Sequence, residues 1–197
     1  MRIITGIARG KQLKTLEGEA TRPTSEKVKE AVFSAIQFDI EGRSFLDLFA
    51  GSGQMGLEAL SRGAKSTTFI DASADAMAVI KENAKKTGFF ECSHFLVSDY
   101  RNYIRKAAGR DAFDIIFIDP PYAERCAAEA IERILKASLA KDGALFIAES
   151  EEENIFEGRE GLKERFEVVK SKKYGRAYIT ILRLLSPDPV EAVDEAI

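Results

Sequence analysis

The sequence predicts an α/β protein built on a mostly parallel sheet of seven strands that ends in an antiparallel hairpin, with a small N-terminal extension. From Phe45 onward, short apolar runs alternate with stretches whose apolar residues recur at helical spacing. Repeated strand, helix, strand units form a parallel sheet with helices on both faces, because each right-handed crossover returns the chain to the same edge. Only residues 170–177 separate the last two predicted strands, too few for a helix, so these strands are expected to pair antiparallel.

Each predicted element rests on its local pattern. Short apolar runs predict the strands Phe45–Phe49, Thr67–Ile70, His94–Val97, Asp114–Ile118, Ala144–Ala148, Phe166–Val169 and Tyr178–Leu182. Apolar residues at helical spacing predict the helices Met55–Ser61, Ala74–Thr87, Tyr100–Ala108 and Ala127–Ala140. Ahead of the sheet, residues 24–36 predict one more helix, capped by Thr24 or Ser25. Residues 3–16 predict an extended segment or a hairpin with glycine turns.

The length of 197 residues fits one main domain rather than two. We divide the chain into an N-terminal segment and helix (1–40), the α/β domain (41–186) and an acidic, frayed tail (187–197). A content of 45% hydrophobic and 31% charged residues is typical of soluble globular proteins. No apolar run approaches the roughly 20 residues of a membrane span, and the N-terminus lacks a hydrophobic signal core. The sequence therefore predicts a cytoplasmic protein without membrane contact, which we expect to be a monomer.

Charge and cysteine content narrow the possible partners. The formal net charge of −3 argues against binding to nucleic acid through overall charge, but residues 1–16 hold four basic residues and no acid. Cys92, Cys126 and the single histidine, His94, cannot form a zinc cluster, so we expect no metal and two buried thiols. The basic start of the chain is thus the candidate contact for a polyanion, with a solvated surface as the alternative.

A glycine-rich turn follows the first predicted strand. Gly51, Gly53 and Gly56 match the pattern G-x-G-x-x-G between a strand and a helix, where glycine lets a ligand approach the backbone closely. Asp71 ends the next strand about 20 residues later, where an acid can accept hydrogen bonds from both ribose hydroxyls. The pattern predicts a nucleotide-type ligand, and a role for Asp71 as a helix cap is compatible with it.

A nicotinamide enzyme and an S-adenosylmethionine enzyme share these features, so other residues must separate them. Asp47 lies inside the first strand, where burial is costly unless it has a partner such as the ammonium group of a methionine moiety. Asp99 follows the third strand, where a carboxylate could accept a bond from the adenine amine. Either acid could instead cap a turn or a helix.

The group "DPPY", residues 119–122, follows the fourth strand at the point where ligands bind in open α/β sheets. The two prolines remove N–H donors and leave an acceptor-rich corner. Asp119 and the carbonyl of Pro120 can hold both hydrogens of an exocyclic amine and direct its lone pair at a sulfonium methyl. Tyr122 offers a flat face for a base taken out of its stack. A rigid turn with a packing aromatic is the alternative.

These motifs resemble those of the RsmD-type family, class I S-adenosylmethionine-dependent methyltransferases that modify N2 of guanine 966 in 16S rRNA. The similarity covers Arg2 to about Leu184 and rests on "RIITGIARGKQL", "RPTSEKVKEAVF", "LDLFAGSGQMGLEALSRGA", "FIDPPY" and "KKYG". It implies a Rossmann-like class I methyltransferase fold, S-adenosyl-L-methionine as methyl donor, and 16S rRNA within a small-subunit particle as substrate.

The resemblance also implies roles for individual residues. The cofactor-binding residues are Asp47, Gly51, Ser52, Gly53, Asp71 and Asp99. The residues at the target base are Asp119, Pro120 and Tyr122, where the family often has phenylalanine in the last place. The candidate contacts to RNA phosphates are Arg9, Lys11, Lys14 and Arg22.

Three other functions fit parts of the pattern. A methyltransferase acting on adenine in DNA, on tRNA or on another rRNA base would share "DPPY", which indicates an exocyclic amine and not the base that carries it. A nicotinamide-dependent oxidoreductase would leave Asp119, Pro120 and the final hairpin without a role. A non-catalytic RNA-binding assembly factor would keep the fold without methyl transfer.

Overall fold

A computed structural model of the chain describes residues 1–16, 25–110, 112–121 and 126–186. The helices are α1 (Glu26–Ala35), α2 (Gln54–Ser61), α3 (Ala74–Thr87), α4 (Tyr100–Ala107), α5 (Ala127–Lys136) and α6 (Glu160–Lys163). The strands are β1 (Ser44–Asp47), β2 (Ser66–Asp71), β3 (Ser93–Val97), β4 (Phe113–Ile118), β5 (Ala140–Ser150), β6 (Phe166–Tyr174) and β7 (Ala177–Leu184). The tail 187–197 lies outside the described residues.

The seven strands form one sheet in the order β3-β2-β1-β4-β5-β7-β6. Strands β1 to β5 pair parallel, whereas β7 pairs antiparallel with both β5 and β6. The predicted mostly parallel sheet with a terminal antiparallel hairpin is therefore confirmed. Because β1 lies beside β4, the carboxyl ends of these two strands form the switch point at which the chain changes direction across the sheet.

Helices cover both faces of the sheet, and the core has two parts. In β4, Ile115 and Phe117 belong to one buried cluster, while Ile116 and Ile118 belong to the other. This alternation follows from the strand period of two and explains why β4 is apolar throughout. In open α/β sheets, ligands bind at the edge formed by the carboxyl ends of the parallel strands.

The chain begins with a hairpin, as one of the two predicted forms allows. Arg2 pairs with Gln12 in an antiparallel bridge, and the backbone N–H of Ile3 donates to the carbonyl of Lys11 at 3.0 Å. The hairpin is held against α2, because the Glu58 carboxylate accepts from two of its backbone N–H groups at 2.8 and 3.0 Å. We call residues 1–13 the N-terminal hairpin.

Two local expectations from the sequence were wrong, and one helix was missed. The fifth helix, predicted to reach Ala140, ends at Lys136 because Ser138 adopts a positive φ of 54° and Leu139 N–H returns to the Ile134 carbonyl. Cys92 is exposed, and only Cys126 is buried. The short helix α6 was not predicted. Ser25 caps α1 as expected, while the alternative cap, Thr24, lies outside the described residues.

No helix in the described ranges combines the length and the apolar character that a membrane crossing requires.

Candidate functional site

The glycine turn between β1 and α2 leaves open space above its backbone. Gly51 and Gly53 have φ angles of 54° and 77°, which favour glycine. A Cβ added at Gly51 would meet no protein atom within 4 Å, so the space over the turn can hold a ligand. At Gly56, by contrast, an added Cβ would lie 2.3 Å from the Phe69 ring, because this glycine lets α2 pack closely on β2.

Asp47 lies at the end of β1, beneath this turn. It is 1% exposed, and its Oδ2 accepts from the Gly56 N–H at 3.0 Å. Burial raises the pKa of Asp47 to about 7, against the opposing effect of the Gly56 hydrogen bond, with a further contribution from Asp71. Asp47 is therefore buried, as predicted, and its carboxylate accepts a hydrogen bond from a backbone N–H.

Asp71 joins the end of β2 to the glycine turn. One carboxylate oxygen accepts from the Gly51 N–H and the other from the Ser73 N–H, both at 2.8 Å. A carboxylate has about four acceptor sites, so these bonds are compatible with further donors such as ribose hydroxyls. Ser73, and not Asp71, caps α3, since its hydroxyl accepts from the Ala76 N–H.

Asp99 caps α4, as the alternative interpretation of this residue proposed. Its carboxylate accepts from the backbone N–H of Asn102 at 3.0 Å and also from the Asn102 side chain. The backbone bond is the main reason why the pKa of Asp99 lies below its usual value. Asp99 stands one residue after Ser98, whose N–H donates to the Asp71 carbonyl, so it lies near the same edge of the sheet.

One buried polar atom was missed by the sequence prediction. Gln54, the first residue of α2, is 7% exposed, and its Oε1 has no hydrogen-bond partner among the described residues. A buried acceptor without a donor is costly, by about 1–3 kcal/mol. Together with the open glycine turn and the two acids, this acceptor fits a ligand that carries hydroxyl and ammonium donors. These residues are consistent with S-adenosylmethionine.

The residues after β4 form the second half of the site. Asp119 is partly buried and Pro120 is buried. The pKa of Asp119 is raised well above its usual range, first by burial, then by the neighbouring charges of Glu149 and Asp47. Tyr122, the third residue predicted at the target base, lies outside the described residues.

Glu149 was not predicted and belongs to the same site. Ile118 of β4 pairs in register with Ala148 of β5, so Asp119 and Glu149 are the next residues on neighbouring parallel strands. Neighbouring strands lie about 4.8 Å apart. Glu149 is 9% exposed. The sequence signal for Glu149 is an acid at the end of an apolar run, the same pattern that marks Asp71 and Asp119.

A small cleft of about 30 Å³ lies beside this corner. It lies between the proline corner, the start of α5 and the segment after β5. The lining residues are Pro120, Pro121, Ala127, Ala128, Glu149, Ser150, Glu151, Glu152 and Ile155. The cleft is thus continuous with the residues predicted to hold a base.

Two of the four basic residues predicted to contact RNA already have bonding partners within the protein. Lys11 donates to the carbonyls of Lys86 and Thr87, and Lys14 forms an ion pair with Glu82 at 2.9 Å. Arg9 is exposed, and Arg22 lies outside the described residues. The backbone of Lys14 is also tied to the glycine turn, because the Asn83 amide donates to the carbonyls of both Lys14 and Ser52 at 3.0 Å. This bridge places the N-terminal hairpin beside the predicted cofactor loop.

Comparison with known proteins supports the same interpretation. The model of a family described as Conserved hypothetical protein 95 matches residues 1–183. Ribosomal RNA small subunit methyltransferase D of Haemophilus influenzae is 33% identical over 78% of this chain and 80% of its own. The structure of yhhF from Escherichia coli superposes with a TM-score of 0.82 at 29% identity, covering 94% of this chain and 98% of that one. SMU.776, solved in complex with SAH, shares the fold with a TM-score of 0.67 at 17% identity, over 79% of this chain and 48% of its own.

Proposed function

Because the chain belongs to the Conserved hypothetical protein 95 family, we propose that it is an rRNA methyltransferase that uses S-adenosylmethionine. The finer proposal is that it methylates the N2 amine of a guanine in 16S rRNA, with guanine 966 as the expected nucleotide. The observation that carries it is the position of the Asp119–Pro120 corner beside the glycine turn of β1, at the switch point of the sheet.

The cofactor would be held by the residues around the glycine turn. When bound, it supplies a methyl group on a sulfonium, whose carbon–sulfur bonding electrons leave with the sulfur. Asp71 would accept the ribose hydroxyls, Asp99 the adenine amine, and Asp47 with Gln54 the ammonium group. Gly51, Ser52 and Gly53 would border the ligand without obstructing it.

Asp119 and Pro120 would orient the target amine. The Asp119 carboxylate and the Pro120 carbonyl each accept one amine hydrogen, which turns the nitrogen lone pair toward the methyl group. As the nitrogen–carbon bond forms, the nitrogen gains positive charge, and one of its protons passes to the Asp119 carboxylate. The raised pKa of Asp119 makes it a better proton acceptor than an exposed aspartate. Most of the rate would come from placement and electrostatics.

Glu149 supports guanine as the base. In guanine the exocyclic amine lies next to the N1–H donor, whereas in adenine and cytosine the corresponding ring nitrogen is an acceptor. Two carboxylates at neighbouring strand ends match two adjacent donor groups, with Asp119 at the amine and Glu149 at N1–H. An acceptor nitrogen facing Glu149 would be repelled or left without a donor, at a cost of about 1–3 kcal/mol.

The N-terminal segment would contact the RNA backbone through Arg9, Lys11, Lys14 and Arg22. Since the chain carries a net charge of −3, we expect weak affinity for isolated RNA and better activity on a small-subunit particle. In this proposal the protein acts as a monomer.

Methyl transfer from labelled cofactor tests the proposal directly. The wild-type protein is incubated with deproteinised 16S rRNA and with small-subunit particles lacking the methyl group, and the nucleosides are analysed for N2-methylguanosine. Asp119→Asn should lose at least about a hundredfold in single-turnover rate while it binds the cofactor normally. Asp142→Asn, an exposed change at the start of β5, is the control. Label in adenosine or cytidine would contradict the guanine assignment.

Replacing the target guanine by 2-aminopurine tests the role of Glu149. This base keeps the N2 amine but has an acceptor at N1. The wild-type protein should methylate it about 10- to 100-fold less efficiently than guanine, while Glu149→Gln, whose amide can donate, should lose most of this discrimination. Glu153→Gln, exposed and outside the cleft, should discriminate like the wild type. If the wild type and Glu149→Gln discriminated equally between guanine and 2-aminopurine, Glu149 would have no role in base recognition.

A further inference from the structure

The turn between β6 and β7 extends past the sheet at the same edge as the candidate site. Ser150, the last residue of β5, pairs with Tyr178 near the start of β7, and Tyr174 pairs with Ala177 across the turn. Because β5 runs parallel to β4, the turn lies beyond the carboxyl end of β5. Ser150 also lines the cleft beside the proline corner. The turn is therefore a neighbour of the target-base region.

This turn is the most basic part of the α/β domain. Between Val168 and Ser186 the chain has no acidic residue, and the seven residues 170–176 include four basic ones, Lys170, Lys172, Lys173 and Arg176. We call these residues the basic turn. It stands out because the chain as a whole has a sequence pI near 5.5.

Two lysines of the basic turn lie over aromatic rings. Lys172 Nζ lies 5.7 Å from the Tyr174 ring centre, and Lys173 Nζ lies 5.0 Å from that of Tyr178. Within the described ranges, no ion pair involves Lys172, Lys173 or Arg176, all of which are exposed. An exposed cation on a ring gains only about 0.5–1 kcal/mol, so these groups can readily exchange that contact for a phosphate.

Protection of an edge strand is the alternative explanation, since lysines on an edge discourage pairing with other chains. It predicts charges along the whole of β6. Instead, the half of β6 remote from the site exposes Val168 and Val169, which are 49% and 42% exposed. The basic residues are concentrated at the end that reaches the site edge, and the one charge in the remote half, Glu167, is acidic. Their position fits a ligand at that edge better than protection of the strand.

We propose that the basic turn binds the phosphate backbone of the RNA substrate beside the target nucleotide. This inference rests on the proposed function. Ser52 of the glycine turn after β1 contacts Met1 and, through the Asn83 amide, the Lys14 carbonyl, whereas the basic turn lies beyond β5. The two ends of the N-terminal segment and the basic turn therefore lie on opposite sides of the β4 corner. A single strand crossing the corner would thus be held on both sides of the flipped base. The basic turn carries more of this contact, because Lys11 and Lys14 are already bonded within the protein.

The test compares two triple variants with the same change in charge. One is Lys172→Gln/Lys173→Gln/Arg176→Gln. The control, at exposed positions on the opposite edge of the sheet, is Lys65→Gln/Lys106→Gln/Arg110→Gln. Fluorescence anisotropy gives the Kd for a labelled 16S rRNA fragment at several salt concentrations, calorimetry the cofactor affinity, and thermal melting the integrity of the fold.

The basic-turn variant should bind the fragment at least about tenfold more weakly, and the slope of log K against log salt should fall by about two to three units. Its cofactor affinity and melting temperature should match those of the control variant. Equal RNA affinity and salt slope in the two variants would overturn the proposal, as would a wild-type protein that does not bind the fragment. A wild-type protein that binds RNA but transfers no methyl group would instead contradict the proposed function. The RNA affinities of the two variants would then still decide whether the basic turn binds RNA.

Discussion

Lys29 Nζ lies 3.5 Å from Glu58 Oε2, and neither side chain is exposed. Lys29 also donates to the Arg2 carbonyl at 2.6 Å, while Glu58 accepts from the backbone of Ile4 and Thr5. Burial lowers the pKa of Lys29, and the nearby carboxylate of Glu58 partly offsets this. The pair therefore joins α1, α2 and the N-terminal hairpin into one unit.

Breaking this pair should destabilise the protein. Glu58→Gln leaves the Lys29 charge buried without its carboxylate, which should lower the free energy of unfolding by about 3–5 kcal/mol. Urea unfolding at neutral pH measures the loss. Glu30→Gln, exposed on α1, is the control and should stay within about 0.5 kcal/mol of the wild type. A Glu58→Gln variant as stable as this control would show that the pair does not anchor the hairpin.

Asp71→Ala should weaken cofactor binding. The substitution removes the proposed acceptor of the ribose hydroxyls and also the bond to the Gly51 N–H. The loss should amount to about 1.5–3 kcal/mol, or roughly 10- to 150-fold in Kd. Calorimetric titration with S-adenosylmethionine measures it, with Asp75→Ala, an exposed acid in the first turn of α3, as the control. Unchanged affinity would make the ribose assignment wrong.

Gly56→Ala should destabilise the packing of α2 on β2. The added methyl group would lie 2.3 Å from Phe69 Cε1 and 2.6 Å from Thr67 Cγ2, so a side chain or the helix must move. The expected cost is about 1–3 kcal/mol in unfolding free energy. Adding Phe69→Leu should recover part of it, because the two positions are in contact.

Gly161→Ala is the matched control for this change, because a Cβ there meets no atom within 4 Å and the residue lies in helix α6. It should be neutral or slightly stabilising. Additive effects of Gly56→Ala and Phe69→Leu would argue against the close contact.

The pH dependence of methyl transfer should report the environment of Asp119. Its pKa is raised by burial, Glu149 and Asp47, and the carboxylate form is the one that accepts the amine hydrogen and proton. The carboxylate fraction grows as the pH rises through this raised pKa, so the single-turnover rate should rise and then level off. Glu149→Gln removes a neighbouring negative charge and lowers the pKa of Asp119, which should move the rising limb to lower pH. The rising limb of the pH profile should be the same in Glu153→Gln as in the wild type. Identical profiles for the wild type, Glu149→Gln and Glu153→Gln would show that Glu149 does not affect the pKa of Asp119.

Local patterns were sufficient to predict most of the fold. The periodicity of apolar residues located every strand of the sheet, and the short connection 170–177 correctly predicted the antiparallel hairpin. Helix Ala74–Thr87 agrees with α3 at both ends because Ser73 and Gly88 provide standard caps. The error at the end of Ala127–Ala140 arose because the helix is followed by Ser138 with a positive φ, a conformation for which glycine is the usual signal.

The sequence by itself determined the sheet, the glycine turn and the acids at successive strand ends, because each depends on residues close together in the chain. Only the tertiary structure decided which groups share an environment. Strand register places Glu149 beside Asp119, which lies thirty positions earlier in the chain, and packing leaves Gln54 Oε1 buried. The topology likewise brings the basic turn to the edge of the site and holds the N-terminal hairpin on α2. Burial and charge coupling depend on distance in space, so no local pattern could have specified them.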